Sequence, residues 1–114
     1  MTEPTACRLM VIVEEDTVFN HKPLYQEIVR RAHDSGLAGA SAFRGIEGFG
    51  SSRDMHTTRI LSLTAQLPVM ILIIDSEQKV RDFLPQLDEL DVRGVVALDE
   101  VEIVWPGHAP KAVQ

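Results

Sequence analysis

The most restrictive feature of this sequence is a run of six consecutive apolar residues, Val69 to Ile74, in the stretch LPVMILIID. A second run, Arg8 to Val13 (RLMVIV), is nearly as apolar and is also rich in β-branched residues. A strand with one face in water alternates apolar and polar residues, and neither run alternates in this way. The two runs therefore predict central strands of a sheet that is covered on both faces.

The first of two predicted helices follows the strand at Arg8 to Val13. Pro23 suits the first helical position, because its missing N–H would have no partner there, and Gly36 suits a left-handed cap at the other end. Between them, apolar residues recur at helical spacing: Leu24, Tyr25, Ile28, Val29 and Ala32. This pattern predicts an amphipathic helix of about three turns.

The second predicted helix follows the strand at Leu67 to Asp75. Asp75 or Ser76 can cap its beginning, and Gly94 is predicted to end it. Its apolar stripe consists of Val80, Phe83, Leu84, Leu87 and Leu90. Pro85 lies inside this stripe, so we expect the helix to continue with a kink at that residue.

Two weaker strand patterns complete the order of elements. Leu37 to Arg44 (LAGASAFR) alternates small residues, and Val95 to Val104 (VVALDEVEIV) predicts one or two final strands. The resulting order, β-α-β-loop-β-α-β, predicts an α+β fold: a ferredoxin-like βαββαβ sandwich with two helices on one face of an antiparallel sheet. The core of this single domain spans about residues 8–104, and the tail 105–114 is predicted to be irregular and partly mobile.

This fold leaves one face of the sheet without helices, although both apolar runs predict that the face is covered. The simplest cover is another copy of the same sheet. This favours an oligomer, because monomers rarely expose large apolar patches. The alternative is a central strand whose outer face tolerates a few exposed apolar residues.

Length and composition limit the class of protein further. The chain has 114 residues, which suits one domain, and its net charge of -6 argues against broad binding to nucleic acid or anionic membranes. The N-terminus lacks a signal-peptide pattern, and the longest apolar run is too short to span a bilayer. We therefore predict a cytoplasmic protein without membrane insertion. Cys7 is the only cysteine, which excludes an internal disulfide and a cysteine-rich zinc site.

A glycine-rich and partly basic stretch, RGIEGFGSSRDMHTTR (residues 44–59), lies between the second and third predicted strands. Gly45, Gly48 and Gly50 allow close approach of the backbone to a ligand, and three arginines outnumber two acidic residues. Free N–H groups beside arginines suit an anion such as phosphate. A solvated flexible hairpin is the alternative, and composition alone favours it. In either case residues 46–59 are predicted to form a long mobile loop.

No motif for catalysis or phosphate binding accompanies this loop. The sequence contains no G-x-x-x-x-G-K-[ST], and its four histidines lack the spacing of metal ligands. Cys7 lies in a predicted core strand and is predicted to be buried rather than nucleophilic. Because no nucleophile–base pair is visible, we predict that the protein is not an enzyme.

The stretches GLAGASAFRGIEGFGSSRDMHT and LPVMILIIDSEQKVRDFLPQLDEL resemble a PII-like domain-of-unknown-function family, which is related to the PII nitrogen-regulatory signal-transduction proteins. The resemblance covers about Arg8 to Val104. In PII proteins the second strand runs into a Gly-Phe-Gly segment that opens a long mobile loop, and here Gly48-Phe49-Gly50 corresponds to it. The resemblance implies a ferredoxin-like fold in a PII-like homotrimer, with the sheets facing inward and an adenine nucleotide in the cleft between subunits.

The resemblance also implies a set of ligand-binding positions. Three positions would lie near the base of the nucleotide: Gly39, Ala40 and Ser41. Three backbone positions would lie near the ribose and phosphates: Gly48, Phe49 and Gly50. Three further side chains are included because they are the charged or polar groups nearest to that site in sequence: Arg44, Arg53 and His56. No cofactor, catalytic residue or metal ligand is expected.

Two departures from the PII pattern affect the expected ligand. PII proteins carry a second glycine-rich loop, T-G-x-x-G-D-G-K, before the last strand, and here that position is DVRGVVALDE with only Arg93 and Gly94. We therefore expect AMP or ADP in preference to ATP. The segment from Gly36 to Gly50 is one residue longer, so a bulge is expected there. The ligand would order the loop, which would then regulate an unknown protein partner, either a transporter or a metabolic enzyme.

A second interpretation uses the same fold for a different function. It is a ferredoxin-like trimer that binds a divalent metal or another small molecule, as metal-tolerance proteins do, since a fold does not fix a function. Under this interpretation, the loop is a simple hairpin extension. The metal ligand would then be Cys7, His56 or His108.

Overall fold

The structure is a computed structural model that describes residues 6–49, 56–57 and 67–104. Four strands form its main sheet: β1 (Ala6–Glu14), β2 (Ser41–Arg44), β3 (Pro68–Ser76) and β4 (Val95–Val101). Two helices alternate with them: α1 (Leu24–Asp34) and α2 (Glu77–Glu89). The strand order is β2-β3-β1-β4, and every pair is antiparallel. The predicted ferredoxin-like βαββαβ fold is therefore confirmed.

The central strands are β1 and β3, as their apolar runs predict. Alternate residues of the two strands are buried on one face: Leu9, Val11, Val13, Val69, Ile71 and Ile73. Both helices place apolar side chains in the same core: Leu24, Ile28, Ala32, Val80, Phe83 and Leu87. Every second residue of the strands and every third or fourth residue of the helices therefore point into one core layer between the sheet and the helices.

The other face of the sheet, called the open face below, is also largely apolar. Directly paired residues share a face, so the register gives its rows. These rows are Phe43–Met70–Ile12–Val95 and Ser41–Leu72–Met10–Ala97. At the two edges, Phe43 is 50% exposed and Val95 is 55% exposed. The prediction of strands that are apolar on both faces is correct, and neither described helix covers the open face.

The ends of α1 agree with the sequence prediction to within one residue. Pro23 occupies the N-cap position rather than the first helical position. Gly36 adopts a φ of 81°, and its N–H donates to the carbonyl oxygen of His33 at 3.1 Å. The predicted left-handed cap at Gly36 is therefore confirmed.

The beginning of α2 agrees with the sequence prediction, but its end does not. Ser76 Oγ accepts a hydrogen bond from the Lys79 N–H at 3.3 Å, and Pro85 lies inside the helix. The kink expected at Pro85 stays a prediction. The prediction that Gly94 ends α2 is wrong, because the helix ends at Glu89 and Asp91 takes the left-handed conformation with a φ of 55°.

Gly94 has a different role at the start of β4. A Cβ atom at this position would lie 1.7 Å from the carbonyl oxygen of Ile12. Only glycine therefore lets the chain approach β1 closely enough for β4 to pair with it. Two strands are shorter than predicted. β4 ends at Val101 rather than Val104, and β2 begins at Ser41 rather than Leu37.

Two short ladders lie outside the main sheet, and the sequence did not predict their pairing. One joins Val18–Phe19 to Lys22–Pro23, and the other joins Glu47–Gly48 to His56–Thr57. The first ladder turns at two residues with positive φ, 51° at Asn20 and 67° at His21, a combination that type I′ turns require. This hairpin contacts α1, since the Arg31 guanidinium lies 5.8 Å from the centre of the Phe19 ring.

Candidate ligand site at the base of the loop

β2 is an edge strand whose only partner among the described residues is β3. The pairing continues one residue past β2, because the Gly45 N–H donates to the carbonyl oxygen of Pro68 at 2.7 Å. Backbone groups alternate in direction along an antiparallel strand. Since Gly45 points towards β3, the N–H and C=O groups of Ala42 and Arg44 point away from it, along the free edge.

Two glycines at the base of the loop pack over Pro68. A Cβ atom on Gly45 would lie 2.9 Å from Pro68 Cγ, and one on Gly48 would lie 3.2 Å from the same atom. Both distances are shorter than ordinary carbon–carbon contacts. Gly45 and Gly48 thus have a packing role that the sequence did not reveal: they let the chain cross Pro68 as it leaves the sheet.

The predicted positions near the nucleotide base lie at the other end of β2. Gly39 and Ala40 directly precede the strand, and Ser41 is its first residue. The segment that leads into β2 is held at the end of β3, because the Ala38 N–H donates to Asp75 Oδ2 at 2.8 Å. At about 3.4 Å per residue, Ser41 and Arg44 are roughly 10 Å apart along the strand. That separation is comparable to the span of a nucleoside monophosphate.

Arg44 and Glu15 form an ion pair where the loop begins. Arg44 Nη2 donates to Glu15 Oε2. The Glu15 side chain is 14% exposed, whereas that of Arg44 is 57% exposed. Glu15 is fixed by its own backbone, since its N–H donates to the carbonyl oxygen of Leu67 at 2.9 Å. The guanidinium therefore contacts a mostly buried carboxylate on one side and is exposed to solvent on the other.

The remaining predicted site residues belong to the loop. Gly48 lies in the ladder with its backbone opposite His56, and Phe49 follows it with 52% of its surface exposed. The structure therefore brings the backbones of Gly48 and His56 together at the loop base that Arg44 enters. Gly50 and Arg53 lie outside the described residues, as does the tail 105–114.

Sequence reasoning missed two residues of this site. Glu15 lies in the acidic stretch after β1, and its partner Arg44 is 29 positions away, so no local spacing connects them. Pro68 lies within the predicted strand Leu67 to Asp75, and the sequence did not indicate its contact with the loop glycines. One local signal for Pro68 was available, because it directly precedes an apolar run. A proline is tolerated as the first residue of a strand, where no backbone N–H is needed for the ladder.

A shallow surface depression of about 310 Å³ lies between α1 and β2. Its lining residues are Tyr25, Gln26, Val29, Arg30 and Ala42. The cation in it is already engaged, because Arg30 donates to Glu27 at 2.5 Å and to Asp34 at 2.8 Å. The depression therefore offers an apolar wall on the helix side of β2 rather than a second anion site.

The residues suggested as metal ligands are not grouped in the described part of the chain. No cluster of three or more His, Cys, Asp or Glu side chains there could hold a metal ion. Cys7 is 1% exposed, as predicted, and burial, followed by the nearby charge of Glu77, raises the pKa of its thiol. The side chain of His56 and all of His108 lie outside the described residues.

Comparison with known families gives one match over nearly the whole chain. The model of the DUF190 family, described as "Uncharacterized ACR", matches residues 6–103. A UPF0166 protein of Aquifex aeolicus is 34% identical over 97 residues, which are 85% of this chain and 91% of the relative. A UPF0166 protein of Methanocaldococcus jannaschii is 30% identical over 82 residues, covering 72% of this chain and 75% of the relative.

Comparison with solved structures gives PII-like proteins. CPII, a nitrogen regulatory PII-like protein from Thiomonas intermedia K12, solved with ADP, AMP and bicarbonate, has a TM-score of 0.61 at 20% identity, covering 91% of this chain and 92% of CPII. The GlnK–ATP complex of B. subtilis has a TM-score of 0.56 at 7% identity, covering 89% of this chain and 85% of GlnK. At identities of 20% and 7%, these comparisons show a similar fold and nothing further. Within the described residues, no helix is both long and apolar enough to cross a membrane.

Proposed function

The chain belongs to the DUF190 family, and we propose that it is a PII-like regulatory protein that binds an adenine nucleotide at the base of its loop. The observation that carries the proposal is the position of Arg44. It is the last residue of the free edge strand β2, is more than half exposed, and stands where the loop leaves the sheet. An arginine beside outward-pointing backbone N–H groups suits a phosphate. CPII, which shares the fold, binds ADP and AMP.

The proposed ligand extends along the edge of β2. The base would lie at the end where the strand begins, near Gly39, Ala40 and Ser41, and the phosphates near Arg44. The loop would contribute backbone groups and polar side chains: Gly48, Phe49, Gly50, Arg53 and His56. The roughly 10 Å between the two ends of β2 supports this orientation, because base and phosphate of one nucleotide are separated by a similar distance.

We further propose that the active form is a homotrimer with the open faces directed inward. The open face carries two apolar rows with edge residues that are about half exposed. A second and third copy would remove this surface from water, which is the main driving force for association. The nucleotide cleft would then lie between the edge of β2 in one subunit and its neighbour.

AMP and ADP are the proposed ligands in preference to ATP. The connection between α2 and β4 has no second glycine-rich segment, and it runs only from Leu90 to Gly94. Asp91 and Arg93 in this connection pair with one another at 3.0 Å, so the arginine is partly neutralised. A short connection of this kind offers few N–H groups for a third phosphate.

The regulatory step in this proposal is an order–disorder change of the loop, residues 46–59. Ligand bound at Arg44 would fix the loop base, and the ordered loop would engage or release a protein partner. The partner would be a transporter or a metabolic enzyme. The protein itself would act as a non-enzymatic regulator. An assay with excess nucleotide should therefore show no turnover.

Isothermal titration calorimetry with AMP, ADP and ATP tests the proposal. We expect one site per subunit, with AMP and ADP bound more tightly than ATP. Arg44→Gln should weaken binding about tenfold or more, because it removes a charge-assisted hydrogen bond. Arg81→Gln is a matched control: Arg81 is 56% exposed and also pairs with a glutamate, but it lies on α2. No binding of any of the three nucleotides at millimolar concentration would contradict the proposal.

A metal-binding function has less support. No described side chains form a metal cluster, and Cys7 is buried in the core. A rise in melting temperature with divalent metals, combined with no rise with nucleotides, would favour that function over the one proposed here.

A further inference from the structure

We propose that Glu15 determines the phosphate selectivity of this site, by disfavouring ligands that bring more negative charge to Arg44. The inference rests on the proposed function and deepens it, because the sequence did not indicate a ligand role for Glu15. Its structural basis is the ion pair between Arg44 and a carboxylate that is more buried than the arginine itself.

The two partners of this ion pair differ in exposure. The Glu15 side chain is 14% exposed, and the hydrogen bond from its N–H to the carbonyl oxygen of Leu67 holds its backbone in place. Arg44 covers it and is 57% exposed, so an anion can approach the guanidinium from the solvent side while Glu15 stays in place behind it. A phosphate at Arg44 would therefore lie within one guanidinium width of the mostly buried Glu15 carboxylate.

The charge of Glu15 is compensated by few groups. Its Oε2 accepts from Arg44, whereas its Oε1 is buried and has no hydrogen-bond partner among the described residues. Arg44 is also the only cation in the described stretch from Ser41 to Phe49. The pair is therefore close to neutral, and Arg44 cannot offer a full positive charge to a ligand.

Selectivity follows from the charge that the ligand brings. In a partly buried site the interaction between charges is stronger than in bulk water, so each added phosphate charge is opposed by Glu15. Electrostatic repulsion by Glu15 is therefore weakest for a monophosphate and strongest for a triphosphate. Glu47, the other acidic residue of the loop base, is exposed, so solvent and salt screen its charge more effectively.

The test compares the ratio of ATP to AMP affinity, measured by calorimetry, in Glu15→Gln, Glu15→Asp and the unmodified protein. Glu15→Gln keeps the shape and an acceptor for Arg44 but removes the charge. We expect it to raise ATP affinity about tenfold and AMP affinity about threefold, so that the preference for AMP diminishes. Glu15→Asp keeps the charge and should retain the preference. Glu100→Gln, with the same change in net charge, lies at the opposite end of the sheet and should behave like the unmodified protein.

The outcome distinguishes this inference from the proposed function. If the unmodified protein binds nucleotides but Glu15→Gln leaves the ATP-to-AMP ratio unchanged, the role of Glu15 is refuted and the nucleotide site stands. If no nucleotide binds, the proposed function fails, and thermal shifts with inorganic phosphate and tripolyphosphate decide the role of Glu15. A larger tripolyphosphate shift in Glu15→Gln than in the unmodified protein then supports that role, and equal shifts overturn it.

Discussion

Gly94 lies directly against β1, so close that a Cβ atom on it would be 1.7 Å from the carbonyl oxygen of Ile12. Gly94→Ala should therefore destabilise the protein by about 2–3 kcal/mol, because β4 must move away from its partner strand. Denaturant unfolding measures this loss. Gly39→Ala is the control, since a Cβ there has no neighbour within 4 Å. Equal unfolding midpoints for the two variants would contradict the assigned role of Gly94.

His21 holds the second position of a type I′ turn with a φ of 67°, a conformation that glycine adopts without strain. His21→Gly should stabilise the protein by about 0.5–1 kcal/mol, as the strain of the left-handed backbone is removed. Lys22→Gly, one residue later in the strand, should have the opposite sign, because glycine weakens an extended segment. Thermal unfolding of both variants checks the prediction, and a loss of stability in His21→Gly would contradict it.

The lowered pKa of the Glu27 carboxyl predicts how the stability of the protein changes in acid. Hydrogen bonds from Arg30 and Arg31 lower the pKa of its carboxyl from 4.5 to about 2. A lowered folded-state pKa means that this contribution to stability is complete above about pH 4.5 and disappears as the pH falls towards 2. Glu27→Gln should thus be less stable than the unmodified protein at pH 6, and the difference should vanish near pH 2. A difference that stays constant across this range would contradict the assignment.

Leu72 lies in the middle of an open-face row, between Ser41 and Met10. Leu72→Glu should convert the proposed trimer to monomers, because a charge would be buried at the contact between sheets. Light scattering gives the mass. Gln78→Glu, an exposed position on α2, is the control and should leave the assembly intact. A trimer that persists in Leu72→Glu, or an unmodified protein that is monomeric, would contradict assembly through the open face.

The sequence predicted those parts of the fold in which local pattern and burial agree. The runs that became β1 and β3 are apolar on both faces, and no alternative element accounts for such runs at that length. Gly36 was recognised as a cap because it lies four residues after Ala32, the last residue of the periodic stripe. Gly94 was misassigned, since glycine serves equally as a helix cap and as a point of close backbone approach. The tertiary contact with Ile12 decides between these roles, and it is invisible locally.

The candidate site was only partly predictable for a related reason. Arg44 and the loop glycines stand out by composition, whereas Glu15 becomes relevant only because β1 and β2 flank β3 in the sheet. The turn at Asn20 and His21 was also missed, because Asn-His lacks the glycine that usually marks a type I′ turn. The first omission reflects a tertiary contact that a linear pattern does not encode, and the second reflects an unusual residue choice in a local turn.

The central claim is that an adenine nucleotide binds along the edge of β2 with its phosphates at Arg44. A crystal structure of the protein grown with ADP tests it most directly. We expect ADP at the boundary between two subunits, with a phosphate oxygen within hydrogen-bond distance of the Arg44 guanidinium. ADP bound elsewhere, or no ADP at millimolar concentration, would contradict it.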